Sequence, residues 1–193
     1  MDPYHHMLWE VWMPYMRLAV QNCNPRESGP LLSMINTWSP ILPTWISNNI
    51  IYTLIQPRLH TEVSQWSPTA DTVPIHSWLQ PWINFIGDGM ADIYPVIRQK
   101  LANALTEWHP SDPSAKLIIQ PWKPVWTQGS MDTFLLRCIV PKLTQALSEL
   151  VINPNHQILD QFTWTINWCD MISPVHLGSV FEKNFFPKFK HKN

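Results

Sequence analysis

A proline recurs inside apolar runs of this chain at nearly constant spacing, and few folds can accommodate that. Pro14, Pro57, Pro95, Pro141 and Pro187 follow one another at intervals of 43, 38, 46 and 46 residues. A second marker is a polar residue before proline at Asn24-Pro25, Ser67-Pro68, His109-Pro110 and Asn153-Pro154, with steps of 43, 42 and 44. A third is a tryptophan pair, Trp38 with Trp45, Trp78 with Trp82, Trp122 with Trp126 and Trp164 with Trp168. The second member of each pair returns after 37, 44 and 42 residues. Three markers thus share a period of about 42, the range of HEAT and armadillo arrays. The expected fold is all-α: an α-solenoid-like, HEAT-like array of helical hairpins. Residues 1–193 form a single helical repeat domain, with three full repeats and a half repeat at each end.

The residues around each proline repeat every three or four positions. Ile51, Ile55, Leu59, Val63 and Trp66 form one stripe, as do Ile93, Ile97, Leu101, Leu105 and Trp108. Leu136, Val140, Leu143, Leu147 and Leu150 form another, and Leu177, Phe181, Phe185 and Phe189 the last. Such spacing puts each set on one helical face. The phase holds across the proline, so one helix bent at proline is expected in the second half of each hairpin. A proline there costs about 3 kcal/mol through a lost hydrogen bond and a clash. The rival arrangement puts proline in the first turn of a short helix, where it is harmless. Ser130 and Ser173 read as helix N-caps; Gly87, Gly89 and Gly129 mark turns.

Composition narrows the function. Hydrophobic residues make up 45% of the 193-residue chain, enough for a core, while charged residues are only 14% and the formal net charge is −1. Typical soluble domains carry roughly 25% charged residues, so part of this charge-poor surface is expected to be covered by another chain. Nucleic-acid binding draws most of its affinity from phosphate neutralisation, which needs a basic excess. The one basic run, Lys183, Lys188, Lys190, His191 and Lys192, is terminal. Weak RNA or DNA binding is therefore the alternative reading, not the main one. Cys23, Cys138 and Cys169 are too far apart for a CxxC pair, which argues against a zinc site and a disulfide framework. No apolar stretch is long enough to span a membrane.

Catalytic constellations are missing. There is no GxSxG, GxxxxGK[ST], GxGxxG or HExxH. His60, His76, His109 and His156 stand a repeat or so apart, and the aspartates lie near turns, where capping explains them. No catalytic, metal or cofactor site is expected, and no cofactor. The aromatic residues carry the interaction signal instead. Recurrent tryptophans Trp45, Trp82, Trp126 and Trp168 are expected in the core, stapling helices together. Aromatics without a counterpart in other repeats, Trp9, Tyr52, Phe85, Trp164, Phe185 and Phe189, are the candidate partner-binding residues.

An ordered set of segments completes the reading: Asp71-Thr-Val-Pro-Ile-His-Ser-Trp78 with Pro81-Trp82, Trp108-His-Pro-Ser-Asp112, Ala115-Lys-Leu-Ile-Ile-Gln-Pro-Trp-Lys123, Val140-Pro-Lys-Leu143, Leu150-Val-Ile-Asn-Pro154 and Phe185-Phe-Pro-Lys188. From about Val11 to Lys188 the chain resembles the GC-rich sequence DNA-binding factor-like helical domain of the septin- and tuftelin-interacting spliceosome-disassembly factors. The resemblance implies a nuclear protein of pre-mRNA splicing, acting on the intron-lariat spliceosome. In that family a glycine-rich G-patch elsewhere in the chain activates a DEAH-box RNA helicase. The helical domain is expected to dock on spliceosomal proteins and on a second protein with the same kind of domain. With 5 glycines this chain has no G-patch, so it is expected to be a fragment of a longer protein and to meet the helicase only through the missing region. Residues 174–193 are expected to be half a repeat, with Phe185, Phe186 and Phe189 partly exposed or packed on another copy.

Overall fold

The computed structural model describes residues 2–153 and 155–190. Pro154 of the fourth polar-proline marker, and His191 and Lys192 of the basic run, lie outside the described residues. Among the described residues every regular element is helical and no strand occurs. The chain divides into two compact units, Met1–Ile97 and Arg98–Asn193.

In the first unit a helix covers residues 3–22, built from Pro3–Met7, a π-turn segment Leu8–Trp12 and Met13–Asn22. The shorter helix Ser28–Trp38 follows. A second long helix covers 44–65, again with a π segment, Ile50–Ile55, between Thr44–Asn49 and Gln56–Gln65. Helix Ile75–Ile86 and the 3-10 segment Gly87–Ile93 complete the unit. The two long helices pack on each other, and Ser28–Trp38 packs on Ile75–Ile86. Helix Ile75–Ile86 stops at Gly87, whose φ of +67° is costly for any residue with a Cβ.

Helix Tyr94–Ala104 leads into the second unit and ends in the 3-10 turn Leu105–Glu107. Next come Ser114–Ile119 with the 3-10 turn Gln120–Trp122, then Gln128–Cys138 and Val140–Glu149, separated only by Ile139. Asp160–Ile166, Pro174–Asn184 and Pro187–Lys190 close the unit. Val140–Glu149 packs against both Asp160–Ile166 and Pro174–Asn184. The first turn of Gln128–Cys138 is capped by Thr127, whose hydroxyl accepts the Ser130 N–H at 3.3 Å. Ser130 is therefore inside the helix and not its cap. Ser173 does occupy the N-cap position before Pro174.

Five of the prolines share one backbone adjustment. A proline in a helix has no N–H to give, and its ring collides with the carbonyl four residues back. Two residues before each of five prolines the backbone opens from the usual helical φ near −63°. Trp12, Ile55, Ile119, Ile139 and Phe185 have φ of −81°, −84°, −93°, −105° and −107°. The N–H just before three of these prolines reaches back five residues instead of four: Met13 to Leu8, Gln56 to Ile51 and Phe186 to Phe181. That is a π-type turn. The helix therefore continues past Pro14 and Pro57, while each proline sits at the second position of a fresh α segment. Bent helix and first-turn proline are both partly right.

The π-turn has a price in phase. It inserts a residue, so the buried stripe slips by one upstream of proline. In the 44–65 helix the core residues are Ile50, Ile55, Leu59 and Val63, and Ile51 lies at the edge. In 128–149, where the helix is interrupted at Ile139 with no π segment, Leu135 and Ile139 are likewise buried in place of Leu136 and Val140, the latter pair being displaced outward. The stripe from Ile93 to Trp108 is buried as spaced, because the segment upstream of Pro95 is a 3-10 turn and the helix begins afresh. Downstream of Pro187, Phe189 is exposed.

Candidate protein-interaction surfaces

The interior of the first unit is closed by an indole. Trp82 is 0% exposed, and its Nε1–H donates to the Pro25 carbonyl at 2.8 Å, tying the 23–27 turn to a helix 57 residues away. Arg26, in the same turn, donates from Nε to Glu62 and from Nη1 to Asp71, both at 3.1 Å. Its guanidinium also lies 5.5 Å from the Trp78 ring. The other Asp71 oxygen accepts the Ser67 N–H at 2.8 Å. The Asp71 hydrogen bond, foremost, and that of Glu62 hold the Arg26 pKa above its usual value against the cost of burial. The arrangement fixes one turn against the next.

In the second unit Trp122 and Trp126 stack at 5.4 Å, with 19° between their planes, and Phe134 meets the Trp126 edge. The Arg98 guanidinium covers Trp126 at 5.4 Å. Trp168 meets Trp108 edge to face at 5.8 Å, and the Trp108 Nε1–H donates to the Asp112 carbonyl at 2.8 Å. Lys116 Nζ binds Asp170 and the Asn167 carbonyl, each at 2.6 Å, and Lys123 donates to the Asp170 carbonyl. The Lys116 ammonium holds the Asp170 carboxyl below its usual range. Asp112 is likewise lowered by hydrogen bonds from the Ser114 N–H and hydroxyl, a cap and not an acid–base pair.

Of the four tryptophans expected in the core, Trp82, Trp126 and Trp168 are buried. Trp45 is not: it is 39% exposed. It sits one position into the Thr44–Asn49 helix, where Leu42 and Ile46 take the inward places, so its ring turns outward onto Trp9 at 5.3 Å and His5 at 6.1 Å. Trp45 thus belongs to the surface aromatics.

The six candidate partner-binding residues do not form one site. Trp9 is half-buried between Trp45 and the Arg17 guanidinium, 4.9 Å from its ring. Tyr52 is 50% exposed, with its ring against Gly89: a Cβ added at Gly89 would come within 3.0 Å of Tyr52 Cε1 and of Ile86 Cγ2. Gln56 Nε2 donates to the Gly89 carbonyl at 2.6 Å. Phe85 is half-buried. In the second unit Trp164 is half-buried against His109 at 5.4 Å. Phe185 lies at the centre of a phenylalanine cluster with Phe162, Phe181, Phe186 and Phe189, at ring distances of 5.0–5.9 Å. Phe186 and Phe189 are its exposed members.

Sequence spacing missed one surface in each unit. On the 3–22 helix, Tyr4, Met7, Val11, Tyr15 and Leu18 are exposed. Their spacing was legible; their outward direction was not, since a periodic apolar run reads as core. The second is a cleft of about 240 Å³ lined by Thr106, Trp108, His109, Lys142 and Glu149 among others. Among the described residues no group of three His, Cys, Asp or Glu side chains could hold a metal ion, and no helix is long and apolar enough to cross a membrane.

Comparison with known proteins places this geometry. Tuftelin-interacting protein 11 of Gallus gallus is 50% identical over 188 residues, 97% of this chain and 23% of that protein. The Danio rerio and Bos taurus proteins of the same name are each 48% identical, over 98% and 97% of this chain. The chain thus spans less than a quarter of the length of these relatives. The family model for GC-rich sequence DNA-binding factor-like protein matches residues 1–193, and the chain belongs to that family.

Proposed function

We propose that this chain is the protein-interaction scaffold of a spliceosome-disassembly factor, working in the nucleus on the intron-lariat complex of pre-mRNA splicing. Long proline-bearing helices at 3–22, 44–65, 87–107, 128–149 and 174–190 alternate with shorter ones. We take this order as a HEAT-like solenoid with a period of about 42 residues, presenting equivalent helices along an extended surface. The array anchors the protein on its ribonucleoprotein target, and a G-patch elsewhere in the longer chain delivers a DEAH-box helicase. A second protein with a GC-rich sequence DNA-binding factor-like domain is among its partners. The chain itself performs no covalent chemistry.

One observation carries this reading: apolar and aromatic side chains stand exposed on helices whose inward faces are already filled. Tyr15, Trp45, Tyr52, Phe186 and Phe189 are outside while Trp82 and Trp122 are sealed. Exposed aromatics at the surface of a charge-poor chain are what protein partners bury as anchors. The relatives' name, which says of them that they interact with tuftelin, points to the same class of activity. The test is affinity isolation of the longer protein with and without residues 1–193. Spliceosomal proteins are expected to be lost on deletion, and their full retention would refute the anchoring role.

A further inference from the structure

The 3–22 helix is apolar on two faces. Leu8, Met13, Met16 and Val20 fill the interior of the first unit. On another side Tyr4, Met7, Val11, Tyr15 and Leu18 form a second stripe, at steps of 3, 4, 4 and 3, with exposures from 38% to 72%. Ile41, 55% exposed, extends it beside Tyr4, whose hydroxyl donates to the Ile41 carbonyl at 2.6 Å. The next long helix also exposes Trp45 and Tyr52, but among Asn48, Thr53, Thr61, Ser64 and Gln65, so its exposed side is not a continuous apolar stripe. A helix apolar on more than its core face is one that another surface covers.

We propose that the stripe seats a second copy of the same chain, with the two 3–22 helices antiparallel about Val11. The spacing is symmetric around that residue. Met7 and Tyr15 stand four positions on either side of it, and Tyr4 and Leu18 seven. A two-fold axis there sets Tyr4 of one copy against Leu18 of the other, and Met7 against Tyr15, so one patch is its own complement. The five stripe residues and Ile41 expose roughly 700 Å² per copy, so a pair buries at most roughly 1,400 Å² from them, which reaches the range of stable protein interfaces. This inference does not rest on the splicing assignment, and either can fail without the other.

Sedimentation equilibrium of the 193-residue chain over a range of concentrations tests it. The expected mass is twice 22.6 kDa for the parent, and 22.6 kDa for Val11→Asp at the same concentrations with unchanged helical circular dichroism. Phe186→Ser with Phe189→Ser controls for the other exposed aromatic cluster and is expected to leave the dimer intact. Val11→Cys, at the two-fold axis, is expected to cross-link to itself on oxidation beyond the parent background, whereas Tyr4→Cys alone is not. A parent that stays at 22.6 kDa throughout overturns the proposal, as does a dimer that survives Val11→Asp.

Discussion

Two connections that follow long helices, residues 23–27 in the first unit and 150–159 in the second, are held in opposite ways. The first is fixed by side chains reaching in from distant segments. Trp82 bonds to its Pro25 carbonyl, while Glu62, Asp71 and Trp78 surround its arginine. In the second, Val151, Ile158 and Leu159 are exposed, the Asn153 side chain accepts the Asn155 N–H at 3.0 Å, and the Asn153 carbonyl accepts the His156 N–H at 3.2 Å. Its anchor is Lys188, whose ammonium donates to the Ser148 and Leu150 carbonyls at the end of Val140–Glu149. The difference teaches where rigidity comes from. A turn of ordinary Asn-Pro sequence is fixed where a buried donor and an ion-pair network meet it; in the second unit the lysine instead grips the end of the preceding helix.

Trp82→Ala is the strongest way to break the tighter connection. It empties a fully buried indole site and strands the Pro25 carbonyl, so a loss of about 3–5 kcal/mol is expected. A thermal melt checks it, and a variant melting like the parent would remove Trp82 from the account. Arg26→Ala should cost less, about 1–2 kcal/mol, since hydrogen bonds to charged groups are stronger than neutral ones but these side chains are still partly exposed. Added salt should narrow the gap between Arg26→Ala and the parent. Lys188→Met, which keeps the apolar stem, should cost about 1 kcal/mol. Its signature is faster amide exchange confined to the end of Val140–Glu149 and the open connection; uniform acceleration would contradict the anchor.

The smallest effect is pH-dependent. The Asp170 carboxyl has a folded pKa lowered by Lys116. Its contribution to stability is therefore present above the ordinary carboxylate pKa and is lost as pH falls through the lower folded value. Asp170→Asn should flatten that part of the acid limb in a titration of stability. Being a largely exposed pair, it should change the melting point at neutral pH little.

Much of the fold was legible because helical periodicity and proline placement are local signals. The helices, their order and the burial of Trp82, Trp126 and Trp168 follow from spacing. The one-residue slip upstream of Pro57 and Pro141 does not, because neither the π-turn before Pro57 nor the interruption at Ile139 changes composition. Trp45 looked like its counterparts in other repeats, but its exposure depends on which neighbour, Leu42 or Ile46, claims the inward place. The Arg26 network joins residues 36 and 45 positions apart and leaves no mark in any window short of the whole repeat. The exposed stripe on the 3–22 helix was hidden for the opposite reason, since an apolar period announces a buried face and says nothing of which partner buries it.

The central claim is that sealed indoles build the helices and exposed aromatics meet protein partners. Its most direct test is site-specific photo-cross-linking from Tyr52 replaced by a benzophenone amino acid, in intron-lariat complexes purified through the longer protein. Adducts to spliceosomal protein are the predicted result. Adducts confined to RNA, or none while the chain remains bound in the complex, would contradict it.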